Sequence, residues 1–139
     1  NQNRYSILDR TVEKNGLKET AAKLGKGIIT FSPLAQGRLT DRYLHGIPAD
    51  SRVHTDGRFL KESDLTPELL GRIAKLNDLA AARGQTLAEM ALAWLLAKEE
   101  ITSVLIGASR PSQILDNIKA VENTGFTDEE LAEIDRLSV

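Results

Sequence analysis

Ser103-Val104-Leu105-Ile106-Gly107-Ala108-Ser109-Arg110-Pro111 is an apolar, β-branched run that breaks at a glycine and opens directly into a helix start. That pattern is how a chain builds an anion site. A glycine lets backbone approach a ligand with no Cβ in the way, and a first helical turn offers unpaired N–H groups at the positive end of the macrodipole. Arg110 adds a planar, permanently charged fork suited to a phosphate, while Ser109, Gln113, Asp116 and Asn117 bring polar groups to the helix start and its next turn. A phosphate carried on a nucleotide is the expected guest.

Working outward, a second apolar run, Gly27-Ile28-Ile29-Thr30-Phe31-Ser32, reads as a buried strand stopped by Pro33 and preceded by a short helix from Leu17 to Gly25. From Leu34 to Leu65 no period is sustained, which predicts a functional loop, a lid or clamp. Thr66-Pro67-Glu68 then supplies an N-cap, an N1 proline and a first-turn acid. Leu69, Leu70, Ile73, Leu76, Leu79 and Ala80 follow at helical spacing to about Arg83, where Gly84 closes the helix. A second helix from Thr86 to about Lys98 carries Leu87, Met90, Ala91, Trp94 and Leu95. After the strand at Ser103 to Ile106 comes a helix from Pro111 to about Val121, and the capping box Thr127-Asp128-Glu129-Glu130 starts a last helix through Leu131, Ile134 and Leu137.

The alternation, with strands that lack a polar face, fits an α/β fold with a parallel sheet. Two strands are too few to cover these helices or close their own edges, so the chain is expected to be a portion of a larger sheet or barrel. The absence of an initiating methionine points the same way.

At 139 residues and a net charge of -2, the chain has no large field and no basic run, so nucleic acid is not an expected partner. The absence of cysteine removes thiol catalysis and thiolate metal sites, and fits a reducing, cytoplasmic setting. No targeting segment or membrane-length apolar run is present, so no membrane partner is expected. His45, His54 and Asp56 match no metal-ligand spacing and read as solvated. Trp94, spaced with Met90 and Leu95, reads as core, and Phe31 taken alone would too.

Phe31-Ser32-Pro33-Leu34-Ala35-Gln36-Gly37 with Leu39-Thr40 and Tyr43, followed at the right separation by Ile106-Gly107-Ala108-Ser109-Arg110 with Gln113 and Asn117, resembles the C-terminal portion of an aldo-keto reductase from Gln2 to the end. Gly46-Ile47-Pro48 with Ser51-Arg52 is similar to the branch that holds bacterial L-glyceraldehyde 3-phosphate reductases and potassium-channel β subunits. The resemblance implies the last three or so βα units of a (β/α)8 TIM barrel, a fold of roughly 250 residues when complete, with NADP across the C-terminal strand ends.

It further implies that Gln2 holds the nicotinamide carboxamide and that Phe31 stacks on the nicotinamide ring. Ser32, Pro33, Leu34, Ala35 and Gln36 would wrap the pyrophosphate, with Arg42 and Arg52 as basic clamps. Gly107, Ser109, Arg110, Gln113, Asp116 and Asn117 would form the pocket for the adenosine and its 2′-phosphate, with Arg110 favouring NADP over NAD. The family's tyrosine acid, lysine, aspartate and histidine have no counterpart motif here, so no catalytic residue is assigned and the chain alone is expected to be inactive. The implied function is NADPH-dependent reduction of small aldehydes or ketones to alcohols, with a small carbonyl compound as partner and a homo-oligomer left open. The alternatives are an NADP-reading regulatory subunit of the channel β type and an inactive truncated fragment.

Overall fold

Ile28–Phe31 (β2) is bonded on both sides to other strands, which explains why its sequence is uniformly apolar up to Thr30. On one side it pairs in parallel with Gln2–Arg4 (β1), in the register Gln2 with Ile29 and Arg4 with Phe31. On the other it pairs in parallel with Ile101–Val104 (β3), matching Ile28 with Ile101 and Thr30 with Val104 across an irregularity at Ile28/Ile29. The computed structural model describes residues 1–46 and 60–138. Among these the sheet has three strands in the order β1-β2-β3, so both outer edges lack a strand partner there.

The helices pack against one sheet face. Thr11–Lys14 (α1) and Leu17–Lys23 (α2) join β1 to β2; Pro67–Ala82 (α3) and Leu87–Leu96 (α4) join β2 to β3; Pro111–Asn117 (α5) and Asp128–Ser138 (α6) follow β3. Their starts are fixed locally. Thr66 Oγ1 accepts from the Leu69 N–H, and Thr86 Oγ1 from the Glu89 N–H, both at 3.1 Å. The Thr127/Glu130 box closes in both directions, at 2.8 and 3.1 Å. α3 turns its Leu69, Ile73, Leu76, Ala80 stripe inward, whereas α4 is buried nearly all round and so sits at the centre.

Three expectations need correction. β1 has the polar sequence Gln-Asn-Arg and was legible only as part of a motif; backbone pairing, not burial, makes it a strand. β3 lies two residues earlier than the apolar run suggests, because its pairing starts at Ile101 opposite Ile28, and its Thr102 and Ser103 are exposed. The helix from Pro111 is α-helical only to Asn117 and continues as a 3-10 turn over Ile118–Glu122. The 34–65 segment is not wholly loose either: Tyr43, Leu60 and Leu65 pack with Leu70 in a small apolar cluster of their own. Its residues 47–59, with Arg52, His54, Asp56 and Arg58, lie outside the described residues.

The two ends of the chain are tied by charge. Arg10 hydrogen-bonds Glu13, reaches Asp135 at 2.7 Å and Ser138 at 3.0 Å on α6, and lies 4.6 Å from the centroid of the Trp94 ring. Lys98 Nζ sits 3.9 Å from the same centroid, and Tyr5 meets Trp94 edge-on at 5.5 Å. Burial alone would raise the Glu13 pKa. Hydrogen bonds from Arg10 and Tyr5, and the charges of Arg10 and Lys98, overcome it and hold that carboxyl below its ordinary range.

Two outcomes are expected. A Cβ at Gly27 would clash with Thr102 Oγ1, so Gly27→Ala loses about 1–3 kcal/mol in urea unfolding, and Thr102→Ala in the same chain restores most of it. Glu13→Gln loses about 1–3 kcal/mol at neutral pH. Because the folded Glu13 pKa is lowered, this contribution is complete above the ordinary value near 4.5 and fades as pH falls through the lower folded value. Unfolding followed by circular dichroism from pH 7 downward therefore brings the two curves together on the acid side.

Candidate functional site at the strand ends

Parallel pairing puts the C-terminal ends of β1, β2 and β3 side by side, with Phe31 and Val104 at the last paired positions of their strands. The Leu105 N–H donates to the Thr30 carbonyl at 2.8 Å, which carries the ladder one residue into the segment that leads to Gly107. Side chains alternate across a strand, and Ile28 and Thr30 are fully buried on the helix side. Gln2, Arg4, Ile29 and Phe31 therefore share the other face, two of them being residues already singled out. Gln2 is exposed and Phe31 half-buried.

Directly after Phe31 the backbone turns left-handed. Ser32, Ala35 and Gln36 have φ of 53°, 50° and 62°, a region that costs a non-glycine residue about 1–2 kcal/mol. The Ala35 N–H donates back to Ser32 O at 3.1 Å, and the Gly37 N–H to Leu34 O at 3.0 Å, so the whole Ser32–Gly37 segment is a tight turn capping the strand end. Pro33 and Ala35 are buried, and Leu34 packs against the core, which anchors the turn from beneath. Arg42 lies further along, half-buried and engaged with neighbouring groups.

At the neighbouring end, residues 105–110 are exposed. Gly107 has no positive φ, and a Cβ there would meet open space, so nothing in this chain's own packing demands the glycine. Arg110 is the exposed N-cap position of α5. Gln113 behaves differently from expectation. Its Oε1 accepts from the Ser109 N–H at 2.8 Å, the Ser109 hydroxyl at 3.2 Å and the Arg110 N–H at 3.3 Å, so its oxygen caps the helix start and only its NH2 could serve a ligand. Asp116 faces solvent and pairs with Lys119 at 3.7 Å, while Asn117 is buried at the end of α5.

Sequence reasoning missed one feature. Arg4, Ser6, Asp9, Ser32, Gln36 and Arg38 line a cleft of about 50 Å³ between the ends of β1 and β2, with Arg4 5.8 Å from the Phe31 ring centroid. The available signal was the two-residue spacing of Gln2 and Arg4, which places both on one strand face. Two tyrosines are poorly placed to move protons. Tyr5 is fully buried, its hydroxyl donates to Glu13 at 2.8 Å, and burial followed by that bond raises its pKa far above the ordinary value; Tyr43 is buried in the small cluster. Among the described residues no group of three or more His, Cys, Asp or Glu could hold a metal, and no helix is long and apolar enough to cross a membrane.

The aldo/keto reductase family pattern matches residues 1–139. The chain belongs to that family. L-glyceraldehyde 3-phosphate reductase of Escherichia coli O157:H7 is 49% identical over 137 residues, covering 95% of this chain and 39% of the relative. A putative voltage-gated potassium channel subunit beta of Schizosaccharomyces pombe is 35% identical over 140 residues, covering 98% of this chain and 41% of its own length. A crystal structure of a thermostable aldo-keto reductase with the inhibitor epalrestat superposes with a TM-score of 0.67 at 27% identity, over 98% of this chain and 38% of that one. The chain thus spans about two fifths of the length of these two relatives.

The strained turn gives a direct test. Gln36→Gly removes the left-handed cost and changes stability by no more than about 1 kcal/mol, since relief offsets the added entropy of the unfolded chain. Gln36→Val, β-branched at the same φ, loses about 1–2 kcal/mol in urea melts.

Proposed function

We infer that the protein carrying this chain is an NADPH-dependent reductase of small aldehydes and ketones, and that this chain supplies most of its cofactor-binding part as the last three or so βα units of a (β/α)8 barrel. One observation carries the reading. The left-handed turn at Ser32–Gln36 and the exposed Gly107–Arg110 segment stand at the ends of adjacent parallel strands, where ligands of such folds bind.

The residues present fit a dinucleotide with an extra phosphate. Gln2 and Phe31 lie on one sheet face of neighbouring strands and suit the carboxamide and the ring face of a nicotinamide. The Ser32–Gln36 turn offers backbone donors to a diphosphate, and Arg42 and Arg52 add positive charge to the same loop. Gly107 leaves open space for close approach, and Ser109, the Gln113 NH2, Asp116 and Asn117 serve the adenosine. Arg110, exposed beside Ser109, answers a 2′-phosphate. When bound, NADPH supplies a hydride to the carbonyl carbon; the proton for the carbonyl oxygen comes from a group outside this sequence. Neither Tyr5 nor Tyr43 is available for it. The setting is a cytoplasmic, small-molecule one, with self-association as a homo-oligomer an added proposal.

A regulatory NADP-binding role, in the manner of the channel subunits, is favoured by the 35% identity that runs across 98% of the chain. Turnover separates the two: aldehyde-dependent oxidation of NADPH by the complete protein supports the reductase, and cofactor binding without turnover of any carbonyl compound supports the regulatory role.

For the cofactor itself, Arg110→Ala is expected to raise the Kd for NADPH about tenfold or more, with little change for NADH, in fluorescence titrations. Equal changes for the two cofactors would remove the 2′-phosphate from Arg110.

A further inference from the structure

We infer that Lys98 is a nucleophilic amine outside the strand-end site and that it captures small aldehydes as a reversible imine. Lys98 lies in the turn between α4 and β3, so it stands near the N-terminal end of β3, at the opposite end of the sheet from Phe31 and Gly107. Its Nζ is 3.9 Å from the centroid of the Trp94 ring, which replaces water on one side of the amine. Arg10 lies 4.6 Å from the same centroid, and Lys18 Nζ lies 5.8 Å from the ring of Tyr5, which meets Trp94 edge-on. Three cations thus crowd one aromatic pair.

The carboxylates around them are largely committed elsewhere. Among the described residues Lys98 has one ion-pair partner, Glu13 Oε1 at 4.0 Å, the outer limit of such a contact. That same oxygen accepts from the Tyr5 hydroxyl at 2.8 Å and from Arg10 Nη2 at 3.3 Å, and Glu13 Oε2 is taken by Arg10 Nε. Glu100 pairs with Lys18 at 3.7 Å, and Asp135 with Arg10 at 2.7 Å. Loss of water and then the nearby Lys18 charge disfavour the ammonium. They outweigh the attraction of Glu13, so the Lys98 pKa falls below the ordinary lysine value. An amine desolvated beside other cations is the form of lysine that attacks carbonyl carbon.

The amine is still within reach. Its side chain keeps 19% of its surface exposed, and Ala97 and Glu99 on either side are exposed as well, which admits a small reagent. The unprotonated Nζ adds its lone pair to the carbonyl carbon of an aldehyde to give a carbinolamine. The carbonyl oxygen then leaves as water with the two amine hydrogens, and a C=N bond remains. Nothing is oxidised or reduced, and water reverses the step. The inference stands apart from the cofactor reading, because no residue of this cluster is among those proposed to hold NADP.

Propanal is applied briefly to the protein carrying this sequence together with cyanoborohydride, which traps the imine as a stable secondary amine. Labelling of each lysine is followed by peptide mass spectrometry from neutral to alkaline pH. A lowered pKa gives Lys98 more free amine at neutral pH than an ordinary lysine has, a lead that disappears once pH exceeds the ordinary value. The expected result is that Lys98 is labelled about threefold or more faster than the exposed Lys14, Lys23 and Lys75 near neutral pH, and that the lead narrows at the alkaline end. Lys18→Met, checked for folding by circular dichroism, removes the like charge and is expected to slow Lys98 while leaving Lys75 unchanged. Labelling of Lys98 no faster than that of the exposed lysines overturns the assignment. So does a lead that persists in denaturing urea, since it would then owe nothing to the folded cluster.

Discussion

Parallel pairing of β1, β2 and β3 is the constraint on which the rest depends. Evenly spaced, slanted backbone bonds force all three C-terminal ends to one edge of the sheet, and each return to the next strand has to run through helices on one face. Segments more than seventy residues apart in sequence, at Phe31 and Gly107, then become neighbours without any side chain having to find another. The apolar stripes of α3 and the all-round burial of α4 fix the sheet from one side and leave Gln2, Arg4 and Phe31 on the other.

What the sequence disclosed follows from how each element is specified. α3, α4 and α6 were legible almost to the residue, because Thr66, Thr86 and Thr127 cap them through local hydrogen bonds that a sequence encodes directly. β2 was legible because it is buried by both neighbours. β1 was not, since a three-residue polar strand owes its state to pairing with Ile29–Phe31 and carries no periodic signal. The same cause displaced β3: hydrophobicity peaks at 104–106, whereas pairing begins at Ile101.

The candidate site divides along the same line. Residue types that suit an anion were visible at Gly107, Ser109 and Arg110, and the turn at Ser32–Gln36 was placed by motif. Its left-handed backbone was not readable, because serine, alanine and glutamine give no hint of positive φ and adopt it here only under the hold of the buried Pro33 and Ala35 and the turn's own hydrogen bonds. Gln113 looked like a ligand and is half spent as a cap, a competition between local and distant partners that spacing alone cannot decide. The Arg10 network shows the complementary case, in which a charge far from the strand ends joins the first loop to α6 and so braces the sheet that carries the site.

In the proposed function, two neighbouring strand ends together bind a dinucleotide that bears an extra phosphate. Thermal melting of the complete protein with increasing NADPH, and in parallel with NADH, addresses it most directly. The expected melting temperature climbs with NADPH concentration, by an amount equivalent to about 2.7 kcal/mol at one hundred times Kd, and needs far more NADH for the same rise. A melting temperature unmoved by either cofactor, or moved equally by both, would contradict it.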